Sequence, residues 1–274
     1  MSLAQACDDL AAEVTALRQL VTDADPLAVT PFYGWRVLDS IKHMVTIDRL
    51  ATLSLSDQAG FQAELARFVE GTQPPAPDTP REDTFRRIAA YETSRLDFLS
   101  WPQLLAAWDA GQQQLRKAAL ALPEDAKAAW FGPPMRAETL INARQMETWG
   151  YGQDDFDLMR VRRKEGDRIR NVAEFGIRTM GFSFANRGLT PPDPKPHVVL
   201  TAPSGAVWTW NDPASPDRVE GAAVDFCLVA TQRRNVADTQ LKVTGEAAMT
   251  WMRIAQCIAG APLNGPPPGL RAWE

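Results

Sequence analysis

The stretch AETLINARQMETWGYGQDDFDLM, residues 137–159, carries the pattern that decides the fold of the first half of the chain. It predicts one long helix. One row along this helix mixes apolar and ionisable side chains, namely Leu140, Ala143, Glu147, Tyr151, Asp154 and Leu158. A mixed row of this kind is expected to face inward at least in part. The carboxylate of Glu147 then needs a partner, because burying an unpaired charge is unfavourable.

Apolar spacing predicts further helices in the first half of the chain. They cover residues 2–21, about 36–55, about 61–70, 83–91 extending toward 99, and 102–122. Proline-containing breaks separate them, among them GTQPPAPDTPRED at 71–83 and PEDAKAAWFGPPM at 123–135. Several long helices with short breaks predict an up-and-down four-helix bundle, which we place at residues 1–160.

The second half of the chain mixes strand and helix patterns, and residues 161–262 predict a small α+β domain. Strands HVVLTA and AVWTW flank the turn PSG as a hairpin, and RVEG and QLKVTG read as two more strands. Helices are predicted over 172–186, over GAAVDFCLVATQRR at 221–234, and over EAAMTWMRIAQCIAG at 246–260 with Gly260 as its stop. Residues 263–274 are predicted to be an irregular tail. The fold class is therefore α followed by α+β.

Composition excludes several classes of protein. The 274 residues are 45% hydrophobic and 23% charged, which is ordinary for a globular chain. The formal charge of −5 lacks the basic footprint of a nucleic-acid binder. No apolar run approaches the roughly 20 residues of a membrane span. Three scattered cysteines exclude a disulfide framework and favour a cytoplasmic location.

The first half also offers a candidate site around His43, one of only two histidines. Glu147 and Tyr151 are four residues apart and project from the same side of their helix. A Glu-x-x-x-His pair at this spacing, with a histidine from a facing helix, would form a three-ligand metal site. Here the second member of the pair is tyrosine. Without a metal, Glu147 would pair with Arg36, Arg144 or His43.

In the second half, Arg233 and Arg234 close a predicted helix. An arginine pair there could bind a substrate carboxylate through two parallel hydrogen bonds, and Arg234 is our candidate for this catalytic role. The alternative is a favourable interaction with the negative end of the helix dipole, which needs no ligand.

Three segments carry a family resemblance. Trp35-Arg36-Val37-Leu38-Asp39 through His43 resembles the W-x-V-x-D-x-x-x-H helix of the DinB-like, mycothiol-dependent maleylpyruvate isomerase N-terminal domain. The segment from Ala143 to Asp154 resembles its E-x-x-x-H-x-x-D signature. The stretch from HVVLTAPSGAVWTW to LKVTGEA resembles the sterol-carrier-protein-2-like (SCP2-like) domain attached in these proteins. Within the superfamily, the chain is most similar to a bacterial subgroup of predicted metal-binding proteins.

The resemblance implies a divalent metal, zinc or nickel-like, held by His43, Glu147 and the residue at position 151. Tyr151 departs from the histidine of the family, and it would act as a weak ligand or as a proton donor. The resemblance also implies a low-molecular-weight thiol, which a cation would hold as thiolate. The expected function is a thiol-dependent transferase or isomerase acting on a small anionic substrate. The alternative is a non-catalytic small-molecule or lipid-binding protein with a degenerate metal site, and a homodimer is open in either case.

Overall fold

The computed structural model describes residues 2–74, 76 and 79–271. The chain forms two compact units, Met1–Arg162 and Arg163–Glu274. Within the described residues, no helix combines the length and the apolar character that a membrane crossing would need.

The first unit is a helical bundle, as predicted. Its helices are α1 (Leu3–Val21), α2 (Val37–Ser56), α3 (Gln58–Thr72), α4 (Arg81–Leu96), α5 (Trp101–Leu120) and α6 (Ala137–Leu158). Helices α1 and α2 each pack against α5 and α6, which makes a four-helix core. Helices α3 and α4 pack on each other and on α2, so α4 brings its side chains to the outer side of α2.

Local signals explain where these helices begin. The Ser2 hydroxyl accepts a hydrogen bond from the amide of Gln5 at 3.1 Å, which caps α1. Ser100 and Gln103 form a capping box at the start of α5. The proline-containing break before α6 also forms a two-stranded ribbon, β1 (Lys127–Ala128) with β2 (Met135–Arg136), which the sequence did not indicate. Part of the predicted linker at 71–83 is helical, since α3 ends at Thr72 and α4 begins at Arg81, while residues 75, 77 and 78 lie outside the described chain.

The second unit combines four helices with one sheet, in agreement with the α+β prediction. Its helices are α7 (Arg170–Arg178), α8 (Met180–Ala185), α9 (Ala223–Ala230) and α10 (Glu246–Ile254). Its strands are β3 (His197–Thr201), β4 (Val207–Trp210), β5 (Arg218–Ala222) and β6 (Lys242–Thr244), in the order β4-β3-β5-β6. The predicted hairpin is confirmed as the antiparallel pair β3–β4, whereas β3 and β5 run parallel.

Three helix boundaries in the second unit correct the predictions. The single helix expected over 172–186 is broken at Thr179, which ends α7 and precedes α8, and its hydroxyl donates to the carbonyls of Phe175 and Gly176. The helix expected over 221–234 ends at Ala230, because Gln232 adopts a φ of 61° and turns the chain.

Helix α10 likewise ends at Ile254 and not at Gly260. The reason is the buried Gln256 side chain. Its Nε2 donates to the carbonyl of Ile258 at 3.1 Å, and its Oε1 accepts from the amide of Leu263 at 2.8 Å. These hydrogen bonds pair polar backbone groups of a loop, in a segment where the apolar pattern alone predicts more helix.

Candidate functional site

His43 lies in the middle of α2 and is held by a carboxylate from α4. Its Nδ1 lies 2.8 Å from Oε1 of Glu92, and both side chains are buried. The phase of α2 places this ring toward the bundle because apolar neighbours such as Ile41 and Met44 are fully buried beside it. The second ring nitrogen, Nε2, is left to face the opposite direction, toward α6.

Glu147 stands on α6 across from that nitrogen. Its Oε2 is 3.8 Å from Nε2 of His43, which is beyond hydrogen-bonding distance, so the two predicted partners face each other without a hydrogen bond. The same oxygen accepts from Nη1 of Arg144 at 2.7 Å. Of the three metal-free partners considered for Glu147, Arg144 is therefore the one that bonds it. Arg36 instead pairs with Asp39 at 2.9 Å.

A buried ion network continues below the site. Arg144 is fully buried, and its Nε donates to Oδ1 of Asp48 at 2.9 Å. The other oxygen of Asp48 accepts from the indole of Trp108 at 3.1 Å and from the amide of Gln112. Because every charged group in this chain of contacts has a partner, the network can fix the position of Glu147.

The pKa shifts follow from this burial. Complete burial raises the pKa of Glu92, and the adjacent His43 offsets that effect only in part. Burial alone would lower the pKa of Arg144, but Asp48 and Glu147 together raise it above its ordinary value. Arg144 therefore stays charged and neutralises one of the carboxylates around His43.

Tyr151 closes the site with an aromatic cluster. Its ring stacks on Trp35, with centroids 5.5 Å apart and planes at 12°, and meets the ring of His43 edge-on at 4.8 Å. Phe32 packs against Tyr151 at 5.2 Å, and Phe85 of α4 packs against Phe32 at 4.5 Å. The prediction that Tyr151 and His43 share one site therefore agrees with where the structure places them.

The donors present do not fit the metal site that the resemblance implies. Among the described residues, no group of three or more His, Cys, Asp or Glu side chains is placed to hold a metal ion. Zinc takes three or four protein ligands, and here Arg144 already occupies the Glu147 oxygen that faces His43. A guanidinium on that oxygen competes with a cation for it. The assignment of His43, Glu147 and Tyr151 as metal ligands stays a prediction.

Arg233 and Arg234 lie just beyond α9 in the second unit, and both are buried. The guanidinium of Arg233 donates to the carbonyl of Thr231 at 2.7 Å, and that of Arg234 donates to the carbonyl of Arg233 at 2.8 Å. The catalytic role of Arg234 stays a prediction.

Sequence reasoning missed Glu92, the direct partner of His43, and Arg81, which begins α4. A signal for Glu92 exists in the sequence, because it lies seven residues after Phe85 and so falls on the same helix face. The predicted helix extends toward residue 99 and includes Glu92, but its spacing alone does not indicate a partner on another helix. Arg81 was assigned to the linker, where nothing marked it as part of a site.

Comparison with known proteins identifies a family whose match includes the residues of this site. The family described as mycothiol maleylpyruvate isomerase N-terminal domain matches residues 7–154, which include His43, Glu92, Glu147 and Tyr151. Uncharacterized proteins from two strains of Mycobacterium tuberculosis are each 37% identical over 263 residues, covering 94% of this chain and 96% of the relative.

A crystal structure of the mycothiol-dependent maleylpyruvate isomerase covers 84% of this chain and 88% of that chain, with 13% identity and a TM-score of 0.49. The family match spans more than half of the chain and contains the whole candidate site. The chain therefore belongs to the mycothiol maleylpyruvate isomerase N-terminal domain family.

Proposed function

We propose that the protein catalyses the addition of a low-molecular-weight thiol to a small unsaturated anionic substrate, as an isomerase or a transferase. The observation that carries the proposal is the His43–Glu92 pair. A carboxylate on Nδ1 fixes the tautomer and orientation of a histidine and leaves Nε2 as the proton acceptor. Family membership supports the choice of a thiol as the group that loses this proton.

In the proposed reaction, the thiol S–H gives its proton to Nε2 of His43. The sulfur then forms a bond to the alkene carbon β to a carbonyl, and the alkene electron pair moves onto the carbonyl oxygen. Rotation about the former double bond follows. The electron pair returns, the C–S bond breaks, and the thiolate recovers its proton from the imidazolium. The sum is a change of alkene geometry with no oxidant or reductant.

A transferase reaction, in which the thiol stays bonded to the substrate, differs only in its last step. If the imidazolium protonates the enolate carbon before the C–S bond breaks, the product is a thioether. In both versions Glu92 and Glu147 face the two nitrogens of His43 and are placed to stabilise the charge that the ring carries between steps. Tyr151 contacts the same ring and is our candidate for a proton donor to the carbonyl oxygen.

The experiment is cis–trans isomerisation of maleylpyruvate by the full chain with mycothiol as the thiol. The variant is His43→Gln, and the matched control is His197→Gln, since these are the two histidines of the chain. Position 197 is in the second unit, where its ring binds the carbonyl of Trp210 at 3.0 Å. We expect turnover in the wild type and in the control and a loss of at least about 100-fold in His43→Gln.

Absence of any turnover in the wild type, or equal turnover in His43→Gln, would contradict the proposal. Binding of mycothiol or of an apolar ligand without turnover would favour the non-catalytic alternative.

A further inference from the structure

Arg81, the first residue of α4, is a partly buried cation that pairs with no carboxylate of the described residues. Its guanidinium lies over the ring of Phe85, 4.9 Å from the centroid. Its Nε is buried and makes no hydrogen bond, and no ion pair joins Arg81 to a carboxylate within residues 2–74, 76 and 79–271. The neighbouring acids of the same helix turn, Glu82 and Asp83, pair with Arg86 instead.

This position is unfavourable for a cation in the free protein. The first turn of a helix is the positive end of its dipole, which disfavours a positive side chain. Burial lowers the pKa of Arg81, and the phenols of Tyr151 and Tyr33 offset that effect only in part. An arginine in this position, with aromatic rings and phenols around it, has the chemistry of a receptor for a planar anion.

The receptor belongs to the same aromatic cluster as His43. Phe85, under the guanidinium, stacks with Tyr33 at 4.8 Å and packs against Phe32. Phe32 contacts Tyr151, which contacts the ring of His43. The part of the site around Arg144, by contrast, gathers the carboxyl groups of Asp48, Glu92 and Glu147, so it is the less favourable side for an anionic substrate.

We propose that Arg81, together with the phenol of Tyr33, binds one carboxylate group of the anionic substrate and holds its unsaturated part toward His43. The inference rests on the proposed function for that orientation. What it adds is a carboxylate-binding site, in which the planar anion accepts two hydrogen bonds from the Arg81 guanidinium and a further one from the Tyr33 hydroxyl.

The test is calorimetric titration of the full chain with maleate, a small unsaturated dicarboxylate, and with neutral dimethyl maleate. The variants are Arg81→Gln and Arg81→Lys, and the matched control is Arg86→Gln on the exposed side of the same helix. We expect maleate affinity to fall at least about tenfold in Arg81→Gln, because hydrogen bonds to a charged group are lost. Arg81→Lys should fall by less, since it keeps the charge and loses the two-pronged geometry.

Affinity for maleate in Arg86→Gln should match the wild type, and the neutral ester should not distinguish any of the proteins. Absence of saturable maleate binding in the wild type would overturn the inference. Equal affinity in wild type and Arg81→Gln, or an equal loss in Arg86→Gln, would overturn it as well. Thermal unfolding followed by circular dichroism checks the fold, and if Arg81→Gln is unfolded, the comparison of Arg81→Lys with wild type decides.

The outcome is separable from that of the proposed function. Arg81-dependent maleate binding without thiol-dependent isomerisation would keep the carboxylate site and reject the proposed reaction. His43-dependent isomerisation with maleate affinity indifferent to Arg81 would keep the reaction and reject the site.

Discussion

At the scale of single residues, Glu92 and Arg144 determine what His43 can do. Both are completely buried ionisable groups. Glu92 is oriented by His43 of α2, and Arg144 is oriented by Asp48 of α2 and by Glu147 of its own helix. Glu92 bonds one nitrogen of His43, while Arg144 bonds the carboxylate that faces the other nitrogen. Glu92 therefore leads to a prediction on the pH dependence of stability, and Arg144 leads to a prediction on stability itself.

The pH dependence follows from Glu92. Because burial raises its pKa above the ordinary value of 4.5, the folded chain keeps this proton where the unfolded chain has released it. The folded state then binds more protons, so the contribution of this group to the free energy of unfolding falls as the pH rises above 4.5 and through the folded-state pKa. We expect the wild type to lose stability relative to Glu92→Gln over this interval.

Urea unfolding of both proteins at a series of pH values measures this difference. Glu82→Gln, which changes an exposed carboxylate of the same helix, serves as the control and should follow the wild type. Parallel pH profiles for wild type and Glu92→Gln would show that Glu92 titrates normally.

The stability of the site network depends on Arg144. Replacement of Arg144 by Met removes one cation and leaves Asp48 and Glu147 without it, so we expect a loss of about 3–5 kcal/mol in the free energy of unfolding. The control is Arg18→Met, which breaks the Arg18–Asp109 pair on the surface and should cost less than about 1 kcal/mol. Equal losses in urea unfolding would mean that the buried network does not stabilise the bundle.

At the scale of secondary-structure elements, the packing of α7 on α9 depends on one glycine. A Cβ at Gly176 would lie 2.9 Å from the Cβ of Ala230 and 3.2 Å from Cε1 of Phe226. At Gly181 of α8 the same atom would meet nothing within 4 Å. Close approach at the first position leaves room only for glycine.

We therefore expect opposite effects from two identical substitutions. Gly176→Ala should destabilise the chain by about 1–3 kcal/mol through overpacking. Gly181→Ala should stabilise it by about 0.4–1 kcal/mol, since alanine restricts the unfolded chain at no steric cost. Chemical denaturation of the two variants beside wild type tests the pair, and a stabilising Gly176→Ala would refute this packing of α7 against α9.

Elements whose signals are local could be predicted from the sequence, and elements decided by distant contacts could not. Helix α6 follows the predicted range almost to its end, because the spacing of its buried residues is a local signal. Helix α10 stops six residues early, because Gln256 bonds a loop that no local pattern reveals. Glu147 and Tyr151 lie on one side of α6, as their spacing indicates, and the fold brings His43 of α2 next to both. Glu92 could not be assigned to His43, because that contact joins residues 49 positions apart.

At the scale of the whole molecule, the donor set decides which ions the chain can hold. We expect the purified, untagged wild type to retain no stoichiometric zinc after desalting, because the described residues offer fewer than three suitable side chains in one place. Tyr151→His should gain zinc, since it supplies a nitrogen ligand one helix turn from Glu147. Elemental analysis of both proteins measures the metal content.

The control for this measurement is the double variant that also carries His43→Ala, which should lose the gained zinc. Stoichiometric metal in the wild type that disappears in His43→Ala and in Glu147→Ala would instead establish the predicted ligands and contradict the fit argued from Arg144.

The central claim is that His43, held by Glu92, removes the proton of a bound thiol. Ultraviolet difference spectroscopy of the full chain mixed with mycothiol detects the thiolate directly. Burial raises the pKa of Cys7 and Cys227, which limits the contribution of these two cysteines to the signal. We predict a saturable thiolate band in wild type and in His197→Gln that is absent from His43→Gln and weaker in Glu92→Gln. A band of equal size in His43→Gln, or no band in the wild type although mycothiol binds, would contradict the claim.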